Sequence, residues 1–502
     1  MHTRTMAALI MAATLTATAQ QRPNLVYILA DDMGYGDPRC QNPASPIETP
    51  HIDRLAREGM RFSDAHTPAS LCTPTRYGIL TGRYAWRGRL QQGVLRQYDP
   101  PLIEPDRLTV GSMLQQQGYT TACIGKWHLG WDWPLLQGGY AKELGDIYTA
   151  DAKERLRIET MVDFSKPLAN GPLTRGFDHY YGDDVPNYPP YAFIRNDRLT
   201  AAPLLMKPDT MYGHPGRMAS GWTLEAVMPA ITNEAVHFIR EMGQQGKPFF
   251  LFFALTAPHV PIAPSAAFRG RSRAGAYGDF VMECDGALGQ VMDALRATGL
   301  DSNTIVVFTS DNGSPAQDGT GMAGAMNSLL KTGHDPNAPL RGMKTDLWEG
   351  GHRVPFVVRW PGRIAPGRVS HATVCHTDLM ATMADILRYR LPENAGQDSY
   401  SILPLMEGKR PAQYKRPNTI HHSSGGQFAI RKGDWKLILT GGSGGGLVTY
   451  PPEILDGKPA ELQLYNLRHD PGERRNLANR RPGKVKALRR SLATARALPH
   501  TK

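Results

Sequence analysis

The feature that most constrains this chain is the run Leu25-Val26-Tyr27-Ile28-Leu29-Ala30, six apolar residues without alternation, ended by Asp31-Asp32. A strand with one wet face alternates apolar and polar residues. An unbroken run fits a strand covered on both faces, as in a parallel sheet sandwiched by helices. Such sheets gather their ligands at the carboxyl ends of strands, where these two carboxylates stand. Side by side they are costly unless a cation neutralises them. Hard oxygen donors favour Ca²⁺ or Mg²⁺ over zinc. Alone, the pair suits an Asp-rich turn equally well.

The chain repeats the strand–helix theme. A helix is expected to start at Thr49-Pro50, with Pro50 at its first position and Gly59 at its C-terminal cap. Another covers 109–117, closed by Gly118. Strands are expected at 120–124, 249–254, 304–309 and 355–360, with helices over 223–242 and 277–298. This alternation predicts an α/β fold: a large, mostly parallel sheet flanked by helices. A chain of 502 residues is too long for one ordinary domain. Past residue 400 the pattern changes. The stretches 427–431 and 435–439 flank Lys432-Gly433-Asp434 as a hairpin, 462–465 is a further strand, and a basic helix follows. The expected division is therefore a leader at 1–19, the α/β domain at 20–400, and a smaller α+β subdomain with an antiparallel sheet at 401–502. Residues 133–221 are rich in Pro, Gly, Tyr and Asp, and long loops of this kind form pocket walls. The stretch 441–446 is glycine-rich but lacks the strand–helix setting of a nucleotide loop.

At the N-terminus, His2 and Arg4 precede an apolar stretch, and Ala17-Thr18-Ala19 supplies a cleavage pattern. This reads as a signal peptide, too short to span a bilayer, so a secreted or periplasmic protein without a transmembrane anchor is expected. The five cysteines, Cys40, Cys72, Cys123, Cys284 and Cys375, leave at least one thiol unpaired in an exported chain. Cys123 in a strand and Cys284 on an apolar helix stripe read as core thiols. The net charge of +11 fits an anionic partner or a basic surface. Basic residues are spread along the chain and no nucleic-acid-binding motif is present, so a nucleic-acid role has little support.

Chemistry concentrates at the strand ends. Ser310-Asp311-Asn312-Gly313 offers a carboxylate and an amide oxygen after the strand at 304–309. With Asp31 and Asp32 it completes an all-oxygen cation site, although alone it is an Asn-Gly turn. In Leu71-Cys72-Thr73-Pro74-Thr75-Arg76, Pro74 suits the first turn of a helix with Thr73 as its cap. Residue 72 then lies at the positive helix end, with Arg76 on the same face. The plain alternative is a buried cysteine beside a helix start. Gly125-Lys126-Trp127-His128 follows a strand. If extended, it points Lys126 and His128 to one side, where they could hold an oxyanion and move a proton. His259 lies in Ala257-Pro258-His259-Val260-Pro261 and Lys344 in Arg341-Gly342-Met343-Lys344. By itself His259 reads equally as a structural histidine in a proline-fixed loop, and an isolated lysine such as Lys344 is usually a solvated surface charge.

Taken in order, these stretches resemble the type I, formylglycine-dependent sulfatases of the alkaline phosphatase superfamily. Cys72-Thr73-Pro74-Thr75-Arg76 matches the signature C-x-P-x-R, and Leu80-Thr81-Gly82-Arg83 its L-T-G-R extension. The ordered motifs run from Asp31 to Pro355, so the resemblance spans nearly all of the larger domain. It implies that Asp31, Asp32, Asp311 and Asn312, with residue 72, bind Ca²⁺. It implies that Cys72 is oxidised to formylglycine by a formylglycine-generating or other sulfatase-maturing enzyme. In the roles it implies, Arg76 and Lys126 polarise the attacking oxygen, His128 contacts the second hydroxyl, Lys344 and His259 bind sulfate, and His259 protonates the leaving alcohol.

Thr81-Gly82-Arg83-Tyr84, 101–106 and 341–353 look like bacterial sulfatases akin to N-acetylgalactosamine-6-sulfatase and arylsulfatase A. That implies a sulfated glycan as substrate, with exo-acting removal of 6-sulfate from galactose or N-acetylgalactosamine. Asp183, Asn187 and Tyr191 are the candidate sugar contacts. The alternatives are a phosphonate monoester or phosphodiester hydrolase of the same superfamily, or a non-catalytic sulfated-glycan-binding protein if Cys72 stays unmodified.

Overall fold

The structure, a computed structural model, describes residues 22–145, 150–408 and 411–501. The expected leader at 1–19 lies outside the described residues. Ten strands form the large sheet: β1 (Asn24–Asp31), β2 (Met60–Phe62), β3 (Thr120–Gly125), β4 (His179–Gly182), β5 (Ile194–Arg195), β6 (Arg198–Leu199), β7 (Phe249–Pro258), β8 (Thr304–Ser310), β9 (Phe356–Arg359) and β10 (Arg368–Ser370). Their order is β10-β2-β9-β8-β1-β7-β3-β4-β5-β6. The five central strands, β8 through β4, are mutually parallel. β9 runs antiparallel to both β8 and β2, and β5 and β6 continue the other edge as antiparallel strands.

β1 is buried along its whole length. Its side chains alternate between two cores. Leu25, Tyr27 and Leu29 pack with helices α2 (Cys72–Thr81), α3 (Val110–Gln116) and α6 (Leu379–Leu387). Val26, Ile28 and Ala30 pack with α1 (Pro50–Glu58), α4 (Leu224–Gln245) and α5 (Gly275–Ala297). Two apolar covers explain why the run shows no polar interruption. Cys123 and Cys284 are buried in these cores, and all five cysteines are free.

The small sheet is antiparallel, in the order β11 (Thr419–His422), β12 (Phe428–Lys432), β13 (Trp435–Ile438) and β16 (Gln463–Asn466). Between β13 and β16 lies the short β14–β15 hairpin (Ile454–Leu455, Lys458–Pro459). One face of the small sheet packs on helix α7 (Pro482–Ala497) through Leu488, Leu492 and Ala495, together with Tyr84 and Trp86 of the large body. Its other face packs on Leu347 and Trp348. Ile402, Leu405 and Met406, just past the expected division at 400, belong to the large core.

A buried polar network ties the two sheets together. Lys436 Nζ on β13 reaches Glu349 Oε1 at 3.0 Å, Glu473 Oε1 at 2.8 Å and His352 Nε2 at 3.0 Å. Arg431 Nη1 reaches Asp64 Oδ1 at 2.6 Å, and His421 Nδ1 donates to the Thr67 carbonyl at 2.9 Å. Among the described residues no helix is long and apolar enough to cross a membrane.

Candidate active site

Four adjacent parallel strands, β8, β1, β7 and β3, deliver polar groups at their carboxyl ends, where a doubly covered sheet leaves its one opening. Asp31 ends β1, Lys126 follows β3, His259 follows β7 and Asp311 follows β8. Gly125 makes the turn possible: its φ is +104°, and a Cβ there would lie 1.8 Å from the Ala254 carbonyl oxygen. Only glycine lets β3 approach β7 this closely before the chain turns into the site.

The carboxylates are buried and interlocked with three cations. Asp31 Oδ2 accepts from Lys126 Nζ at 2.6 Å, and its Oδ1 lies 3.7 Å from Arg76 Nη2. Asp311 Oδ2 accepts from Arg76 Nε and Nη2 at 3.1 and 2.8 Å. An Asp32 carboxylate oxygen lies 2.8 Å from Lys344 Nζ, while Asp32 Oδ1 accepts from Asn312 Nδ2 at 2.6 Å. Burial pushes the Asp311 carboxyl up to about 6, Asp31 adds to the rise, and Arg76 opposes it. Burial alone lowers the Lys126 and Lys344 ammoniums; Asp31 and Asp32 beside them more than reverse this, so both stay charged.

Cys72 is the first residue of α2, with Leu71 as its cap residue. The expected cap was Thr73, with Pro74 at the first position; the helix instead begins two residues earlier. The Thr73 hydroxyl is turned away and accepts from the Leu95 amide at 3.2 Å. The outcome strengthens the electrostatic reading, because residue 72 now lies inside the first turn, where free N–H groups point. All ten residues of α2 are buried. Burial raises the Cys72 thiol, against the pull of Lys126 and Lys344. Ligand atoms of Asp31, Asp32, Cys72 and His259 all lie within 4.8 Å of one another.

The two histidines are neutral, and each tautomer is set by a backbone carbonyl. His128 Nε2 donates to the Leu95 carbonyl at 2.8 Å, leaving a buried Nδ1 with no hydrogen-bond partner among the described residues. The expected extended stretch is not found: His128 has φ of +53°. Its amide donates to Asp184 Oδ1 at 3.0 Å, a positioning contact absent from the sequence reading. His259 Nδ1 donates to the Val260 carbonyl, and its Nε2 lies 3.7 Å from Asp32 Oδ2. Burial lowers both rings, helped by Lys126 at His128 and by Lys344 at His259.

The candidate sugar contacts divide. Tyr191 is fully buried: its hydroxyl donates to the Asn187 and His214 carbonyls at 3.2 and 2.6 Å, and its ring packs on Trp222. Asp183 is also buried. Neither faces solvent in this structure: Tyr191 holds the loop together, while Asp183 keeps a buried Oδ2 with no hydrogen-bond partner among the described residues. The loop has its own small apolar core, which sequence inspection did not anticipate. Asn187 is partly exposed, with a buried Oδ1 lacking a hydrogen-bond partner among the described residues. Beside it, Tyr188 meets the rings of His128 at 6.1 Å and His214 at 4.9 Å. Arg96 is exposed, next to Leu95, whose amide and carbonyl are tied to Thr73 and His128. Its charge bears on both Tyr188 and His214. Arg96, Tyr188 and His214 thus form a group beside His128, and no local motif marks them.

Comparison with known proteins bears on this arrangement. Residues 23–389 match the Sulfatase family. The chain belongs to the sulfatase family. Residues 343–441 also match the C-terminal region of N-sulphoglucosamine sulphohydrolase. The sulfatase is 33% identical to an N-acetylgalactosamine-6-O-sulfatase of Bacteroides thetaiotaomicron, over 93% of this chain and 92% of the relative. It is 32% identical to human arylsulfatase A, over 93% and 86% of the two chains. A solved structure from work on glycosaminoglycan metabolism by Bacteroides thetaiotaomicron superposes with a TM-score of 0.78 at 29% identity, covering 95% of this chain and all of that one. The phosphonate monoester hydrolase of Agrobacterium radiobacter shares the fold, with a TM-score of 0.58 at 18% identity over 95% of this chain and 96% of the other. The protein is thus an enzyme of the sulfatase class on an alkaline phosphatase-like α/β fold.

Proposed function

We propose that the enzyme removes 6-sulfate from the terminal galactose or N-acetylgalactosamine of a sulfated glycan, with Cys72 converted to formylglycine as nucleophile and Ca²⁺ as cofactor. The observation that carries the reading is the position of Cys72: a buried residue in the first turn of α2, facing Lys126, Lys344 and the carboxylates of Asp31 and Asp311. The 6-sulfate preference rests on similarity to the N-acetylgalactosamine-6-O-sulfatase.

The residues fit a calcium ion. Asp31 Oδ1 and Asn312 Oδ1 are buried oxygens with no hydrogen-bond partner among the described residues, and Asp32 and Asp311 complete a hard, all-oxygen donor set. Bound there with residue 72, Ca²⁺ would supply Lewis-acid stabilisation of negative charge. Formylglycine, as its hydrate, would supply the attacking oxygen and a release route that serine lacks.

The chain's own residues do the rest. Three carboxylates face three cations, so the protein groups nearly cancel and a divalent ion leaves a positive site for an anionic sulfate ester. Arg76 and Lys126 hold the attacking oxygen, and Lys344 holds sulfate oxygens. His128, neutral with a free Nδ1, accepts a hydroxyl proton. His259 presents Nε2; the negative charge of bound substrate favours its protonation, after which it can protonate the leaving alcohol. Export by the leader at 1–19, and encounter with a formylglycine-generating or other maturing enzyme, belong to the same proposal.

The test is peptide mass spectrometry across Leu71 to Arg76 on protein made with a maturing enzyme, paired with rates on defined sulfated sugars. Formylglycine at residue 72 and a preference for 6-sulfated N-acetylgalactosamine or galactose are expected. A fully modified enzyme that prefers a phosphodiester, or an active enzyme with only thiol at residue 72, refutes the reading.

A further inference from the structure

The net charge of the chain is placed unevenly. Residues 474–502 hold ten Lys and Arg and no Asp or Glu, so ten of the eleven net positive charges fall in the last 29 residues. Basic residues do occur throughout, but before residue 474 acids match them to within one charge. Elsewhere several exposed arginines pair with acids, as Arg54 with Glu58, Arg157 with Glu154 and Arg195 with Glu234. Here the exposed side chains of Arg474, Arg475, Arg480, Arg481, Lys486 and Arg489 have no ion pair or hydrogen bond among the described residues.

Folding gives this charge a shape. Helix α7 turns Leu488, Leu492 and Ala495 into the small sheet, which leaves Lys486, Arg489 and Arg490 outward, while Lys484 and Arg496 lie over the Trp435 and Phe428 rings. Between α7 and the β14–β15 hairpin runs a groove of 770 Å³, with Lys486 and Arg489 on one wall and Lys458 on the other. Asp456 and Glu461 are the acids of this groove, and Asp456 already accepts from Asn479 Nδ2 at 2.5 Å. The chain segment between β13 and β16 connects the groove to the active-site rim. Its Gly446 amide donates to Thr345 Oγ1 at 3.3 Å, beside Lys344, and its Ser443 carbonyl accepts from Leu347 at 2.8 Å. The same segment then forms the hairpin wall.

We propose that α7 and this groove form a second binding surface for the sulfated polysaccharide, which holds the polymer while its end enters the pocket at Cys72. The proposal rests on the reading of a sulfated glycan as substrate. A row of cations with no internal partner attracts a polyanion through many weak, salt-screened contacts.

The test compares the parent with the variant Arg480→Ser/Arg481→Ser/Lys486→Ser/Arg489→Ser. For binding, both carry Cys72→Ala so that the probe, long-chain chondroitin 6-sulfate, is not consumed. The parent is expected to bind with an affinity that falls as NaCl rises, and the variant to bind about tenfold more weakly with a shallower salt slope. Equal affinities, or parent binding no stronger than to uncharged dextran, overturn the proposal. So does tighter binding to double-stranded DNA or phosphatidylserine vesicles at the same salt. In the Cys72 enzymes, the variant should keep its kcat/KM on a small aryl sulfate within about twofold and lose about fivefold on the polymer. Equal loss on both substrates overturns the proposal. Salt-sensitive polysaccharide binding by a protein that hydrolyses no sulfate ester upholds the surface and overturns the catalytic reading.

Discussion

Lys126→Met probes the electrostatics of the site at its most enclosed point. Lys126 is fully buried, with Nζ 2.6 Å from Asp31 Oδ2. Its carbonyl accepts from Arg76 Nη1 at 2.8 Å, a tie that the substitution keeps. Methionine replaces most of the apolar stem, so the main change is the lost charge. Two losses follow. Removing one partner of a buried ion pair costs about 3–5 kcal/mol. The lower end applies here, because Arg76 Nη2 remains 3.7 Å from Asp31 Oδ1. Removing a donor aimed at charge that develops in the transition state costs about 2.7–4 kcal/mol, roughly a hundredfold to a thousandfold in kcat. Calcium separates the two, because it can neutralise Asp31 but cannot replace the Lys126 donor. The assay is kcat and KM on an aryl sulfate, with conversion of Cys72 verified by mass spectrometry in both proteins, and urea midpoints with and without Ca²⁺. The expected result is a kcat lower by about 10²–10³, with a stability deficit that shrinks in Ca²⁺. A fully converted Lys126→Met enzyme within about fivefold of the parent, a loss near 1 kcal/mol, refutes the placement of Lys126 among the charge-stabilising groups.

Further outcomes are expected. Chelation followed by desalting should lower activity by about tenfold or more, with Ca²⁺ restoring it; undiminished activity in metal-free protein contradicts the oxygen-donor site. Lys436→Met strands Glu473 in the interior, while Glu349 keeps Arg353 and Arg431, and should destabilise the protein by about 3 kcal/mol, read as a lower urea midpoint; an unchanged midpoint means that the network does not clamp the small sheet. Arg96→Ser should raise KM severalfold for a sulfated disaccharide while kcat on a small aryl sulfate changes little; equal effects on both would place Arg96 at the reacting group and not at the sugar.

Much of the site was legible because its parts lie at strand ends. A strand buried on both faces must be apolar throughout, so the abrupt change to Asp31-Asp32, or to Asp311-Asn312, marks the mouth of the sheet. The motif around Cys72 was equally local, although the helix began two residues earlier than Pro74 suggested. The pocket wall was not legible in this way. Asp183 and Tyr191 were polar and aromatic enough to suggest sugar contacts, yet both are buried, and the loop uses Tyr191 for its own packing. Arg96 enters through backbone bonds of its neighbour Leu95, which no pattern of side chains announces.

The sequence by itself determined the α/β class, the strand-end carboxylates, the residue at position 72 and the surplus of cations near the C-terminus. These are consequences of local pattern and composition, which survive without knowledge of neighbours. Only the tertiary structure decided which side chains share one space. It set Asp311 against Arg76, Lys344 against Asp32 and Tyr188 against His128, and it turned Lys486 and Arg489 of α7 outward along a groove. Such pairings depend on contacts between residues as many as 312 positions apart, as in Lys344 and Asp32. They arise from how buried surfaces fit together, and a one-dimensional pattern of residue types does not contain that fit.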